Sequence, residues 1–290
     1  MRKTAIIVAA VAAVFCGIIL LRPAGQPAVP HPAATGGNSG SVTTVKTGES
    51  VAVTIVANDI DAVKRYRMVN ELSDKLSQAE IDALYAYLQN HDSGSYIYGT
   101  KNDIINRLRA QQQPPPELTD VLLGIYRDEN QDIVTRMYAL QHLRPWYREQ
   151  GQKDLRIKEA LDEALSRPET ELAGVALLAE RYLSRDQEGF DRTEIAGTAM
   201  EIVNNPSANQ LTRISAIQVV ATLNGKTGDG TAYRQLSADG NPMMVRMAAI
   251  AALGQSGDQA QREYLEHLAT TTQPPLSVAA NEALKKLNNN

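Results

Sequence analysis

One short pattern recurs along this chain at helical spacing and limits what it can fold into. An arginine is followed three residues later by an alanine and a large aliphatic residue, with another aliphatic residue one turn on. The pattern stands at Arg136, Ala139, Leu140 and Leu143, at Arg213, Ala216, Ile217 and Val220, and at Arg246, Ala249, Ile250 and Leu253. The first two copies lie 77 residues apart and the third follows after 33. Weaker copies occur at Ala176 and Leu177, with Ala173 in the arginine slot, and at Ala280 and Leu284, with Ser277 in that slot. On a helix these offsets fall on one stripe. The small alanines let neighbouring helices approach closely, and the large residues fill the gaps beside them. A single helix pair cannot bury such a stripe, so the pattern calls for stacked pairs sharing one continuous core.

The fullest copy is the run 241–254, NPMMVRMAAIAALG, where Asn241 offers a cap, Pro242 suits the first turn and Gly254 offers a stop. It resembles the second helix of a HEAT repeat, roughly Pro-x-x-Val-Arg-x-x-Ala-x-x-Ala-Leu, through Pro242, Val245, Arg246, Ala249, Ala252 and Leu253. The resemblance covers residues 59–290 and is specific from Gln131 onward. It implies an all-α fold, a right-handed α-solenoid of stacked antiparallel helix pairs. In HEAT and armadillo-type proteins the motif arginine commonly meets an acidic residue of a neighbouring repeat. By resemblance, Arg136, Arg213 and Arg246 take that stitching role, beside the close-packed Ala139, Ala216 and Ala249. The motif alanines are 31 to 40 residues apart, short for this family, and the tetratricopeptide signature Trp-x-x-Leu-Gly-x-x-Tyr is absent.

The helical pattern predicts about thirteen helices joined by short loops, the arrangement of stacked antiparallel pairs. Pairs are expected at 59–72 with 78–90, where Ser77 and Glu80 form a capping box, and at 101–111 with 117–127. The first clear motif helix is expected at 131–144. Residues 91–100 and 143–150 read as loops. With two Phe and one Trp in the chain, the core must come from Ala, Leu, Ile, Val and Tyr.

Residues 1–22 read as a membrane segment. Arg2 and Lys3 precede seventeen residues without a charged side chain, and Arg22 closes the run. At ~1.5 Å per residue such a helix is just long enough to cross a bilayer. Two main readings are open, a retained anchor with a cytoplasmic N-terminus and a cleaved secretory signal; a lipoprotein signal at Cys16 is a third, disfavoured by the bulky Phe15 before it. Each places the rest of the chain outside the cytoplasm, membrane-anchored or secreted. Residues 23–58 form a linker. Four Pro, four Gly and four Ala in the twenty residues from Arg22 to Ser41 cannot bury enough surface to fold. Within the linker, 42–56 alternates and is rich in β-branched residues, which predicts a small β-hairpin turning at Thr47, Gly48 and Glu49. It would pack on the repeats or pair with a partner's strand.

Charge and motifs narrow the function classes. The net charge is −4, but four basic and two acidic residues precede Ile60, so the remainder carries 25 basic against 31 acidic, a net −6. An acidic module matches a phosphate backbone poorly, and no nucleic acid partner is expected. The lone Cys16 and the scattered His31, His91, His142 and His267 lack metal-ligand spacing. Gly225-Lys226-Thr227 lacks the preceding glycine of a phosphate loop, since that position is Val220. No catalytic motif, metal or cofactor is therefore expected.

What remains is recognition. Residues 143–150, LRPWYREQ, carry Trp146, Tyr147 and Arg148, residue types that dominate protein interfaces. Tyr96 and Tyr98 stand in the predicted loop 91–100. Tyr138 and His142, one turn apart, are candidates for the concave face of a solenoid. For each, packing within the fold or solvation is the competing reading. The sequence thus points to a non-catalytic, membrane-tethered scaffold that binds a protein or peptide outside the cytoplasm. The rival is a HEAT-fold enzyme or enzyme subunit processing nucleic acid or a cofactor.

Overall fold

The computed structural model describes residues 50–57, 60–150, 153–224 and 230–289, all within the compact unit Gly48–Asn290. These residues are all-helical, without strands. In order the helices are α1 (Val51–Val56), α2 (Ala62–Met68, continued by a 3-10 turn Val69–Glu71), α3 (Gln78–Gln89), α4 (Ser95–Arg109), α5 (Leu118–Arg127), α6 (Ile133–Glu149) and α7 (Leu155–Leu165). Then come α8 (Glu171–Leu183), α9 (Arg192–Asn204), α10 (Gln210–Asn224), α11 (Gly230–Ser237), α12 (Met243–Ser256), α13 (Arg262–Thr271) and α14 (Leu276–Asn289). The expected membrane helix (1–22), tether and first hairpin strand lie outside the described residues. Among the described residues no helix is long and apolar enough to cross a membrane.

Consecutive helices pair, and the pairs stack as in an α-solenoid-like helical repeat. The second members form an unbroken row in which α4 packs on α6, α6 on α8, α8 on α10, α10 on α12 and α12 on α14. The first members α5, α7, α9, α11 and α13 touch one another far less. The motif alanines Ala139, Ala216 and Ala249 are wholly buried in the row, as are Ala176 and Ala280. Side chains start the helices: Asp61, Asp132, Asp154 and Asp191 accept from backbone N–H groups of the first turn, and Ser77 with Glu80 makes the expected capping box.

The motif arginines act otherwise than the resemblance implies. Arg136 Nε donates to the Tyr126 carbonyl at 2.9 Å, Arg213 donates to that of Val203 at 3.2 and 3.3 Å, and Arg246 Nε to that of Ser237 at 3.0 Å. Each acceptor sits at the end of the first helix of the same pair, where carbonyls lack helical partners. The arginine therefore locks one pair rather than bridging to the next; among the described residues only Arg246 of the three also meets a carboxylate, Asp239, in its own inter-helix loop. Two further stations share the device. Arg65 donates to the carbonyls of Ile55 and Ala57, both at 2.7 Å, and the fully buried Lys101 donates to that of Asn90. Their surroundings, Arg65-x-x-Met68-Val69-x-x-Leu72 and Lys101-x-x-Ile104-Ile105-x-x-Leu108, are copies of the motif with a larger residue in the alanine slot.

Four predicted boundaries are corrected. The second hairpin strand is instead α1, whose buried residues Ala52 and Ile55 are three apart, the helical period. Ser50 caps it and also hydrogen-bonds Glu80, while Arg65 holds its end, so tertiary contacts override the β-branched composition. Residues 95–100 belong to α4, because Gly94 (φ +129°) takes the backbone turn before it. Residues 143–149 continue α6 through Pro145, and Lys153 Nζ donates to the carbonyls of Tyr147, Arg148 and Gln150 beyond. Gly254 is not a stop. It lies inside α12, where a Cβ would stand 2.6 Å from the Ala283 backbone, and the helix ends at Gly257 (φ +68°).

Candidate binding face on the second helices

The singled-out aromatic residues are distributed between core and surface. Trp146 (6% exposed) donates its indole N–H to Thr119 Oγ1 at 2.8 Å, and Tyr147 (4%) meets the Phe190 ring edge-on at 5.5 Å. Both rings lie inside the packed helices. Tyr96 is half exposed and leans on Tyr66, 6.2 Å between ring centres; Tyr98 beside it is partly buried. Tyr138 is partly buried, and its hydroxyl is pushed up by desolvation and the nearby Asp103. His142 is wholly buried with Nε2 3.0 Å from Asn102 Oδ1 and Nδ1 without a hydrogen-bond partner. Burial, with Arg109 and Arg144 near, pushes it down to about 3, so it is neutral at physiological pH.

Of these residues the structure joins Arg148 to a cluster that the sequence reading passed over. Tyr182, in the last turn of α8, is surrounded by guanidinium groups. Arg144 lies 4.3 Å from its ring centre, Arg185 5.4 Å and Arg148 5.6 Å, and Arg148 Nη1 donates to its hydroxyl at 2.8 Å. Arg109 and Arg181 stand close enough to act electrostatically on the same site. Burial and then the charges of Arg109, Arg181 and Arg185 lower the Arg144 guanidinium; burial and then Arg185 lower that of Arg181. Two of the five are matched: Arg109 pairs with Glu149, and Arg148 with Asp186. Among the described residues Arg144, Arg181 and Arg185 pair with no carboxylate, and Arg144 Nε is buried without an acceptor. A domain of net negative charge thus concentrates three unmatched positive charges on one face.

The positions follow the repeat. Arg109, Arg144 and Arg181 are spaced by 35 and 37 residues, and Arg148 and Arg185 by 37. Arg109, Arg148 and Arg181 stand in the last turns of α4, α6 and α8, where a cation complements the helix dipole, while Arg144 lies a turn earlier and Arg185 just past the end of α8. That local benefit explains one arginine per helix, whereas stacking brings their charges together. The repeat spacing was the available signal, but it became visible only once the motif copy at Lys101 was recognised. Thr222 on α10 and Gln255 on α12 continue the row in polar form: Arg181 Nη1 donates to Thr222 Oγ1 at 3.3 Å, and Gln255 Nε2 does so at 3.4 Å.

Comparison of the chain with protein-family models, curated proteins and solved structures finds no significant match.

A second feature lies on the other side of α8. Where the motif elsewhere has Leu143, Val220 or Leu253, this helix has Glu180, 6% exposed. It lines a cavity of about 320 Å³ with Lys158, Asp162, Phe190, Glu194 and others. Desolvation, a hydrogen bond with Asp162 and that residue's charge push Glu180 up to about 8. Lys158 Nζ lies 2.8 Å from the Asp162 carboxylate. The pair therefore holds a proton at neutral pH. The arginine cluster offers a different chemistry: planar donors over an aromatic floor, suited to carboxylate or phosphate oxygens. Among the described residues no group of His, Cys, Asp and Glu side chains is arranged to hold a metal ion.

Proposed function

We propose that this protein is a non-catalytic, HEAT-like right-handed α-solenoid that binds a protein or peptide partner along its row of second helices. The observation that carries the reading is the convergence of Arg144, Arg148 and Arg185 on Tyr182, with Arg109 and Arg181 close enough to act on Arg144 and three guanidinium groups of the five unmatched among the described residues. Charges gathered at such density repel one another, and an unmatched donor buried beneath them is a standing cost that a ligand's oxygens would relieve. The tight packing of second helices against loose packing of first helices supports a curved stack with the second row on its concave side. The apolar segment 5–21, preceded by Arg2 and Lys3, supports tethering at a membrane with the helical domain outside the cytoplasm.

In-cell photocrosslinking tests this. A photoreactive residue at Gln218 or Gln255 on the second row should capture a defined protein, and one at Glu159 or Glu201 on the first row should not. Equal capture from both rows, or none from the second, rejects the reading. Protease accessibility of the helical domain in intact cells tests the placement.

A further inference from the structure

We infer that the partner presents to this face an extended acidic segment in polyproline II conformation, with a carboxylate at every third residue. This rests on the docking role proposed above and adds what docks. Helices packed side by side have axes about 8–10 Å apart. The arginines at equivalent positions of α4, α6 and α8 therefore repeat at about that interval across the row. A polyproline II chain turns once in three residues with ~3.1 Å rise per residue, so one side of it repeats every ~9 Å. Carboxylates at i and i+3 then face Arg144 and Arg181 in turn, while Arg109, at the next interval of the row, is already held by Glu149. A β-strand does not fit, because its residues i and i+3 point to opposite sides.

Three observations favour carboxylates on a peptide. The two matched arginines are already paired with carboxylates, those of Glu149 and Asp186, so the face has the geometry for that group. On the same helices as Arg144 and Arg181, seven and three residues before them, lie the partly buried Met137 and Leu178, an apolar shoulder for the residues between the acidic ones. A polyphosphate chain or an anionic membrane acts over many charges at once and would meet the net −6 of the whole domain. A peptide meets only the cluster.

The test uses the full-length chain and a fluorescein-labelled peptide about twelve residues long, four turns at three residues per turn, with Glu at every third position and Pro or Ala between. The comparison peptide has the same composition with its Glu residues in one block. The expected result is that the spaced peptide binds ~10-fold or more tightly than the blocked one by fluorescence anisotropy. The double variant R144A/R181A should lose most of this preference while its circular dichroism stays unchanged. Should that variant unfold, Arg185→Glu at an exposed position must still weaken the spaced peptide. Equal affinity for the two peptides overturns the inference, as does preferential binding of a single-stranded oligonucleotide or of phosphatidylglycerol vesicles. If the photocrosslinkers on the second row capture a protein while neither peptide binds, the inference falls and the docking role stands. If they capture nothing as well, both fall.

Discussion

The guanidinium of Arg144 on α6 lies over the ring of Tyr182 on α8, 4.3 Å from its centre, and so ties two successive helix pairs through their polar side. The same ring serves Arg148 and Arg185. The electron-rich face of one tyrosine offsets part of the repulsion among three cations, each contact being worth about 0.5–1 kcal/mol at a partly exposed site.

Tyr182→Ala should therefore lower unfolding stability by about 2 kcal/mol, through lost ring contacts and unrelieved repulsion. Tyr182→Phe keeps the ring, loses only the bond from Arg148 and should cost less than about 1 kcal/mol. Urea unfolding of the two variants checks this, and equal losses would show that the hydroxyl, not the ring, holds the arginines.

Glu180 makes stability depend on pH in a defined direction. Its folded value of about 8 lies above its ordinary 4.5, so the folded state binds the extra proton between these limits. The stabilisation is complete below about pH 4.5 and is lost as pH rises through about 8. Glu180→Gln, which mimics the protonated form, should match the wild type near pH 4 and exceed it by a few kcal/mol at pH 9, on the order set by linkage. Unfolding midpoints across that range decide the matter, and parallel curves would reject it.

Gly254→Ala should destabilise, although alanine is the better helix former by about 1 kcal/mol. The new Cβ would stand 2.6 Å from the backbone of Ala283 and force α12 and α14 apart. A net loss of about 1–3 kcal/mol is expected by analogy with other overpacked contacts. Gly197, with nothing within 4 Å of its would-be Cβ, is the control, and Gly197→Ala should be neutral or stabilising.

Arg65→Met should free α1 without unfolding the domain. It removes both guanidinium bonds at the end of that helix while keeping the stem that fills the space. A six-residue helix does not persist alone in water. Amide exchange at Val51–Val56 should therefore accelerate well ahead of α6 or α8, read by mass spectrometry. Unchanged exchange there would mean that packing of Ala52 and Ile55 suffices.

Much of the helical order was legible from local chemistry. The capping box at Ser77 and Glu80, the aspartate caps and the apolar stripe around Ala139, Ala216 and Ala249 each depend on residues within a turn or two. Where reading failed, a distant partner had overruled a local signal. Residues 143–150 read as a loop, yet Lys153 and the burial of Trp146 carry α6 through Pro145. The alternation of 51–56 suggested a strand, yet Arg65 and Glu80 complete it as a helix. The binding face was harder still, because Arg109, Arg144 and Arg181 look like three unrelated helix-end cations.

By itself the sequence determined that this domain is built of helices and that one stripe of each motif helix must be buried, since helical periodicity and small residues at fixed offsets act within one element. Only the tertiary structure decided what the charged residues do. The motif arginines turn inward to close their own pairs because carbonyls left without helical partners at the end of the first helix lie within hydrogen-bond reach. The five other arginines come within electrostatic reach of Arg144 and Tyr182 because stacking converts a spacing of 35 to 37 residues along the chain into neighbours across a face. Electrostatic interaction depends on distance through space, and that distance is set only when the helices pack.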